Sequence, residues 1–552
     1  MNRESEIHYR ELPEIHIPRS KFVREEDLIT TMSAAKIYPI YTDPDILPGM
    51  TVNLKMSAVI RMMTPLYPTF GNANVDIMWF FVPHRLVWQH FREMWGENSN
   101  PWYPQVEYVV PQIKTTSSST FGAKSLADYM GLPVGVSDIA VSALPFRAYV
   151  KVWNDWFKSQ PLQQDAAMST GDTDQNHVAA SPQTGGALLK ANKYFDYFTS
   201  ALPSPQFGPD TLLPLGTWAP VRTRTEEIDP TQVGGTVWPL HWDSSSTGVP
   251  IVSGTYYNLG AKGNNSLIAY TEGNSTTEPS GAIGMYPSNL WADLTNATAA
   301  SINQLRQSIA IQHFYEAQAR GGGGRYVTFL RNIFGVVSDD ARLQRAEYLG
   351  GKRIPLQIYT AIQSSSTDNT SPLGMTGGFS HTTDSDEYFT KSFLEHGTLL
   401  GLAVIRYEHS YEQNIPRGWS RRHWYDFYVP QLANISEQGI KNKEIHATGT
   451  STDEQIFGYQ EPWAEYRYGS GNKITGEMRS SYAQSLNSWH YGDNYNTTPV
   501  LGSTWIQEDA SNIDRTLVVS SGLSDQFMAN FFFKPTYVAP MPIYSTPGLS
   551  TI

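Results

Sequence analysis

The sequence predicts a mainly β protein with long loops and few helices, and three observations predict it. The 552 residues include 43 Gly and 35 Pro and are 12% aromatic but only 17% charged, a makeup that suits strands and turns better than helical bundles or doubly wound sheets. Strict period-two alternation of apolar and polar residues runs from Met50 to Met62, the signature of a strand with one buried face. Helical periodicity is confined to a few short stretches. The length would ordinarily suggest several domains, yet all-β architectures with insertions exceed the usual domain size.

In chain order, residues 1–40 mix Arg3, Arg10, Arg19, Lys21 and Arg24 with Glu4, Glu6, Glu11, Glu14, Glu25, Glu26 and Asp27 without a period; this reads as an extended arm lying along a neighbour or a sheet edge. Pro48-Gly49 opens the alternating strand and Thr64-Pro65 closes it. Val75 to Val82, with Trp79, Phe80 and Phe81, is apolar at nearly every position, so that strand should be covered on both faces. Pro83 stops it, and Val87, Phe91 and Trp95 then mark a short helix with Gly96 at its C-cap. Ser142 caps a further helix, with Pro145 in its first turn and Phe146, Tyr149, Trp153 and Phe157 on the face that should pack against the sheet.

Gln160 to Gly186 is polar and reads as a mobile loop. Residues 217–298 are Gly-, Ser-, Thr- and Asn-rich with short strand-like runs at Thr236–Trp242 and Leu267–Tyr270, and acidic residues outnumber Arg222, Arg224 and Lys262; this is an insertion that should face solvent. Its Asn-x-Ser/Thr patterns, like the one at Asn496, arise from composition. Ser301 to Arg320 is the longest helix candidate. Gly321 to Gly324 after it lack the Gly-Lys-Ser/Thr of a phosphate cradle and read as a flexible helix exit. Leu399 to Arg406 is a buried strand. Strand-like segments follow near Thr504–Ile506, Leu517–Val519 and Phe527–Phe533, with Phe527, Phe531 and Phe533 as core residues. Pro535, Pro540, Pro542 and Pro547 then argue against further ladder pairing, so the tail should run extended over a neighbouring subunit.

Cysteine is absent, which removes disulfides, thiolate metal sites and cysteine nucleophiles. No apolar run reaches the roughly 20 residues of a membrane span, and the first residues lack the apolar region of a signal peptide. A formal charge of −12 argues against gripping nucleic acid over the whole surface. No HExxH, GxSxG or P-loop occurs, no cofactor or metal is implied, and Asp384 and Asp386 read as a solvated Ser/Thr/Asp turn. The densest basic and aromatic interleaving is Arg417, Trp419, Arg421, Arg422 and Trp424, a combination that suits single-stranded nucleic acid, since guanidinium groups meet phosphates and rings stack on bases. Asp426 and nearby glutamates could instead pair with these arginines. Glu461 and Glu465 keep a carbohydrate-binding or carbohydrate-active β protein as the rival reading.

Several segments carry a resemblance. LPG at 47–49, RMMTPLYPTFGN at 61–72, FFVPHRLVW at 80–88, LPFRAYVKVWNDWF at 144–157, DYFTSALPSPQFG at 196–208, FGYQEPWAEYRYG at 457–469 and PMPIYSTPGL at 540–549 occur in an order that resembles the major capsid proteins of the small icosahedral single-stranded DNA phages, Microviridae, in their gokushovirus branch. The chain departs from that pattern at Met50, where an acidic residue is expected, and at Ala539, where a basic one is. The resemblance implies a non-enzymatic structural protein. It implies a single eight-stranded antiparallel jelly roll over 41–552 with large insertions, preceded by the arm, with 217–298 forming a surface protrusion that takes part in host attachment. It also implies about sixty copies in a T=1 shell around circular single-stranded DNA. The expected companions are a small basic DNA-packaging protein, a pilot protein, a scaffolding protein and the bacterial host surface, with assembly in the host cytoplasm and residence in the virion.

Overall fold

The computed structural model describes residues 18–97, 107–206, 208, 221–223, 242–244, 257–262, 266–271, 285–287, 290–292, 302–320, 325–365, 372–519 and 522–544. Two antiparallel sheets form the body. The first contains β1 (Ser20–Val23), β2 (Glu26–Met32), β4 (Thr51–Met62), β7 (Thr382–Ser392) and β9 (Phe527–Ala539); the second contains β3 (Ile37–Ile46), β5 (Ala73–Pro83), β6 (Glu347–Pro355) and β8 (Gly397–Tyr407). Across the first sheet the order is β1-β9-β4-β7, with β2 following β1 along the same edge of β9; across the second it is β6-β5-β8-β3. Strands consecutive in the chain thus alternate between sheets, which is the double-sheet jelly roll.

The sequence periods explain the layers. In β4, Val52, Leu54, Met56, Ala58, Ile60 and Met62 are buried while Lys55, Val59 and Arg61 are exposed. These residues meet Phe527, Phe531 and Phe533 of β9 and Val75, Ile77, Trp79 and Phe81 of β5 in one core. β5 and β8 are buried on both faces, as their unbroken apolar runs predict. Phe80, Val82, Leu400, Leu402 and Val404 point away from the roll into a second core. That core is covered by helix α1 (Leu144–Val152), whose Phe146 and Tyr149 are fully buried, as the aromatic stripe anticipated. The Tyr149 hydroxyl donates to the Ile37 carbonyl at 2.8 Å, fastening the helix to β3. Each such buried side chain contributes roughly 1.5–3 kcal/mol.

Three differences from the sequence reading have physical causes. From Ser20 onward the expected arm is strand: β1 and β2 pair with β9, and β3 joins the other sheet; residues 1–17 lie outside the described residues. The charged pattern there concealed strands because Lys21, Glu26 and Asp27 sit on their exposed face. Second, Pro535 lies inside β9 instead of ending it. It sits where the pairing passes from Glu26↔Phe533 to Val23↔Thr536, at a break in the edge strand where one missing N–H costs no ladder bond. Arg24 fills that break, its amide donating to the Pro535 carbonyl at 3.1 Å and its guanidinium to Asp43 at 3.1 Å. Asp43 also accepts from the Tyr537 hydroxyl at 2.6 Å. Third, Ser503–Ile506 is a helical turn and Leu517 forms an isolated bridge with Pro65, neither being a strand.

Two long insertions leave the roll, residues 84–346 after β5 and residues 408–526 after β8. In the first, Gln163, His177 and Thr184 are buried, so the stretch read as a mobile loop is packed. The helix expected from Ser301 spans Ile302–Arg320. Gly321–Gly324 lie outside the described residues, but Arg325 beside them donates to the carbonyls of Asn154, Asp155 and Lys158 at the end of the α1 segment. It is a helix-end cation. The chain divides into two compact units, residues 1–207 with 316–552, and residues 208–315. Most of the polar insertion lies outside the described residues. Within it Val221–Thr223 pairs with Leu290–Ala292, Trp242–Ser244 with Met285–Pro287, and Tyr257–Lys262 with Ser266–Thr271.

Candidate functional site

The basic and aromatic cluster lies in the second insertion on two short 3-10 turns, Arg417–Ser420 and Trp424–Asp426. Asp426 holds the second turn by accepting from the amides of Arg422 and His423, both at 2.8 Å. The five candidate residues divide. Arg421 donates to Glu465 at 2.9 Å with both side chains largely buried. Arg417 lies 4.0 Å from Glu444 and from Glu465, and burial, which opposes its charge, is outweighed by those carboxylates. Glu444 itself is 2% exposed and titrates above the usual carboxylate range because of its burial. By contrast Trp419 is 84% and Trp424 72% exposed, and Arg422 is exposed beside them.

Beneath these rings the arginines organise a ladder that the sequence spacing does not reveal. Arg421 lies over the Tyr466 ring at 4.3 Å and the Phe427 ring at 5.6 Å. Tyr466 in turn neighbours Tyr428 at 6.1 Å and Trp463 at 6.2 Å. Trp463 is buried, adopts a left-handed backbone (φ 62°), and donates its indole N–H to the Leu432 carbonyl at 2.9 Å. This turn starts the short helix Ala464–Tyr468 and so presents Glu465 inward and Tyr466 outward. The signal for the ladder was available in the aromatic EPWAEYRYG segment, but the 40-residue separation hid its partner.

The residues considered for catalysis are structural. Glu461 pairs with Arg467 at 3.2 Å and Glu465 with Arg421, so neither is a free member of an acid/base pair. Asp384 and Asp386 are in β7, not in a turn, and both receive Lys352 of β6, at 2.6 and 3.0 Å. Among the described residues no group of His, Cys, Asp and Glu is arranged to hold a metal ion, and no helix is long and apolar enough to cross a membrane.

A second buried charge cluster fastens the insertion to the roll. His409, two residues past β8, is bonded through Nδ1 to Asp493 at 2.9 Å and through Nε2 to Glu508 at 3.1 Å, and all three side chains are buried. Lys193 stands 3.9 Å from Asp493, and the Tyr495 hydroxyl donates to the same carboxylate at 3.0 Å.

A two-sheet jelly roll with oversized insertions and a broad exposed aromatic surface defines a structural, shell-building class of protein. The comparisons with known proteins agree: the family described as capsid protein (F protein) matches residues 10–549. The chain belongs to this capsid protein family of Microviridae phages. It is 41% identical to capsid protein VP1 of Spiroplasma virus 4, over 97% of this chain and 96% of that protein. It is 37% identical to capsid protein VP1 of Bdellovibrio phage phiMH2K, over 99% and 98%, and 33% identical to capsid protein VP1 of Chlamydia phage 1, again over 99% and 98%.

Proposed function

We propose that this chain is the major capsid protein of a small phage, closing a T=1 shell of about sixty copies around a circular single-stranded DNA genome. The observation that carries the reading is the double-sheet jelly roll in a chain related along nearly its whole length to proteins named as capsid proteins. Icosahedral closure repeats the same few contacts, and the two insertions supply far more surface for them than the sheet edges do. With a net charge of −12, the DNA is met locally or through a small basic packaging protein. A pilot protein and a scaffolding protein are the further companions, and assembly takes place in the host cytoplasm. The polar insertion at 217–298 faces outward and takes part in host attachment.

Electron microscopy and sedimentation of the purified chain test the central reading: closed shells are expected. Chains that stay solitary under every assembly condition, or that are retarded on immobilised glycan, would overturn it in favour of the carbohydrate reading. Particles deleted over roughly 225–292 that still attach normally would remove the attachment role.

A further inference from the structure

The exposed ladder on the second insertion has no role within the chain that carries it. The rings of Phe427 and Tyr466 are anchored from below by Arg421 and leave half their surface open, while Trp419 and Trp424 stand almost free. A contiguous apolar surface of this kind marks an interaction site. We propose that it docks a second copy of this chain, making it an inter-subunit contact of the shell; the inference rests on the shell-forming reading above.

Charge decides between this partner and nucleic acid. A polyanion is held by free cations, yet Arg417 and Arg421 are taken up by Glu444 and Glu465. Asp426 sits against Arg422. Acidic residues outnumber basic ones across 411–470, so a DNA backbone approaching the ladder meets a surface of its own sign. A copy of the chain meets no such barrier, and its acidic surface offers carboxylates to Arg422. The composition also fits: the centres of protein interfaces concentrate Trp, Tyr, Phe and Arg and are poor in unpaired charge. Rings already pinned on a guanidinium lose little freedom on docking. The arginines expected to touch phosphates instead shape the surface that a neighbour covers.

The test uses the full chain with Trp419→Ala and Trp424→Ala combined, and separately Trp419→Glu alone. Circular dichroism and the thermal midpoint should match the parent, since both rings are solvated in the isolated chain. In sedimentation, the concentration at which half the chains enter closed shells should rise at least roughly tenfold. Shells forming at the parental concentration would overturn the assignment. Shells of normal yield carrying less nucleic acid, in these variants or in Arg422→Gln, would replace it with DNA contact. If the parent chain itself closes no shells, the shell-forming reading fails first and the docking proposal falls with it; parent shells with unaffected variant shells remove the docking proposal alone.

Discussion

Raising the pH should loosen the second insertion through His409. An imidazole hydrogen-bonded to carboxylates through both ring nitrogens donates from both, so it is the imidazolium. Burial opposes that charge, but Asp493 and Glu508 outweigh it and raise the His409 pKa to about 9. Because the folded value lies above the ordinary one near 6.5, the stabilisation is fully present below about pH 6.5 and is lost as the pH climbs through about 9. At about 1.4 kcal/mol per unit this amounts to about 3 kcal/mol. The same interaction holds Asp493 below the usual carboxylate range, and it is counted once. Denaturant unfolding followed by tryptophan fluorescence at pH 6, 7.5 and 9.5, for the parent and for His409→Gln, measures it. The parent should lose most of this increment between the first and last pH, and the variant should lack that alkaline loss. Parallel pH profiles for the two would refute the reasoning.

Two further outcomes are expected. A Cβ on Gly401 would meet Trp79 Cζ3 at 2.6 Å on the adjacent strand, where the indole is fully buried and cannot yield; Gly401→Ala should cost about 1–3 kcal/mol, read as a lower thermal midpoint. Asp76 of β5 receives Arg353 of β6 at 2.8 Å, Arg406 of β8, and the Tyr194 hydroxyl at 2.9 Å. Burial alone would raise its pKa, but the arginines and the hydroxyl outweigh it and hold it down. This stabilisation is present above about pH 4 and lost as the pH falls below it. Asp76→Asn should cost about 2–3 kcal/mol at neutral pH, less than a fully buried pair because Arg353 is half exposed, and should flatten the acid limb of the stability profile.

Much of the body was legible in the sequence because its strands announce their burial. Met50–Met62 alternates since one face meets the core; Val75–Val82 and Leu399–Arg406 do not alternate since both faces are covered. The stripe of Phe146, Tyr149 and Trp153 likewise declared its packing. The misread positions are those where a distant partner decides. Pro535 looks like a strand breaker until the interruption between β1 and β2 stands opposite it, and Asp384 and Asp386 look like turn residues until Lys352 arrives from β6. At the candidate surface, residue types located the region correctly, but only the fold brings Glu444 and Glu465 to the arginines. The local spacing of Arg417, Arg421 and Arg422 contains no sign that two of them are already neutralised.

The pairing of the first strands with β9 has a consequence for biosynthesis. Asp43 and Tyr537, 494 residues apart, share a hydrogen bond, and β2 has its ladder partner in β9 alone. The ribosome must therefore deliver nearly the entire polypeptide before the first sheet can close, and this high contact order makes closure slow. A prematurely terminated product keeps an open sheet edge and cannot complete the body. Translation errors are thereby screened out at the level of the single chain, before any damaged building block can enter a particle.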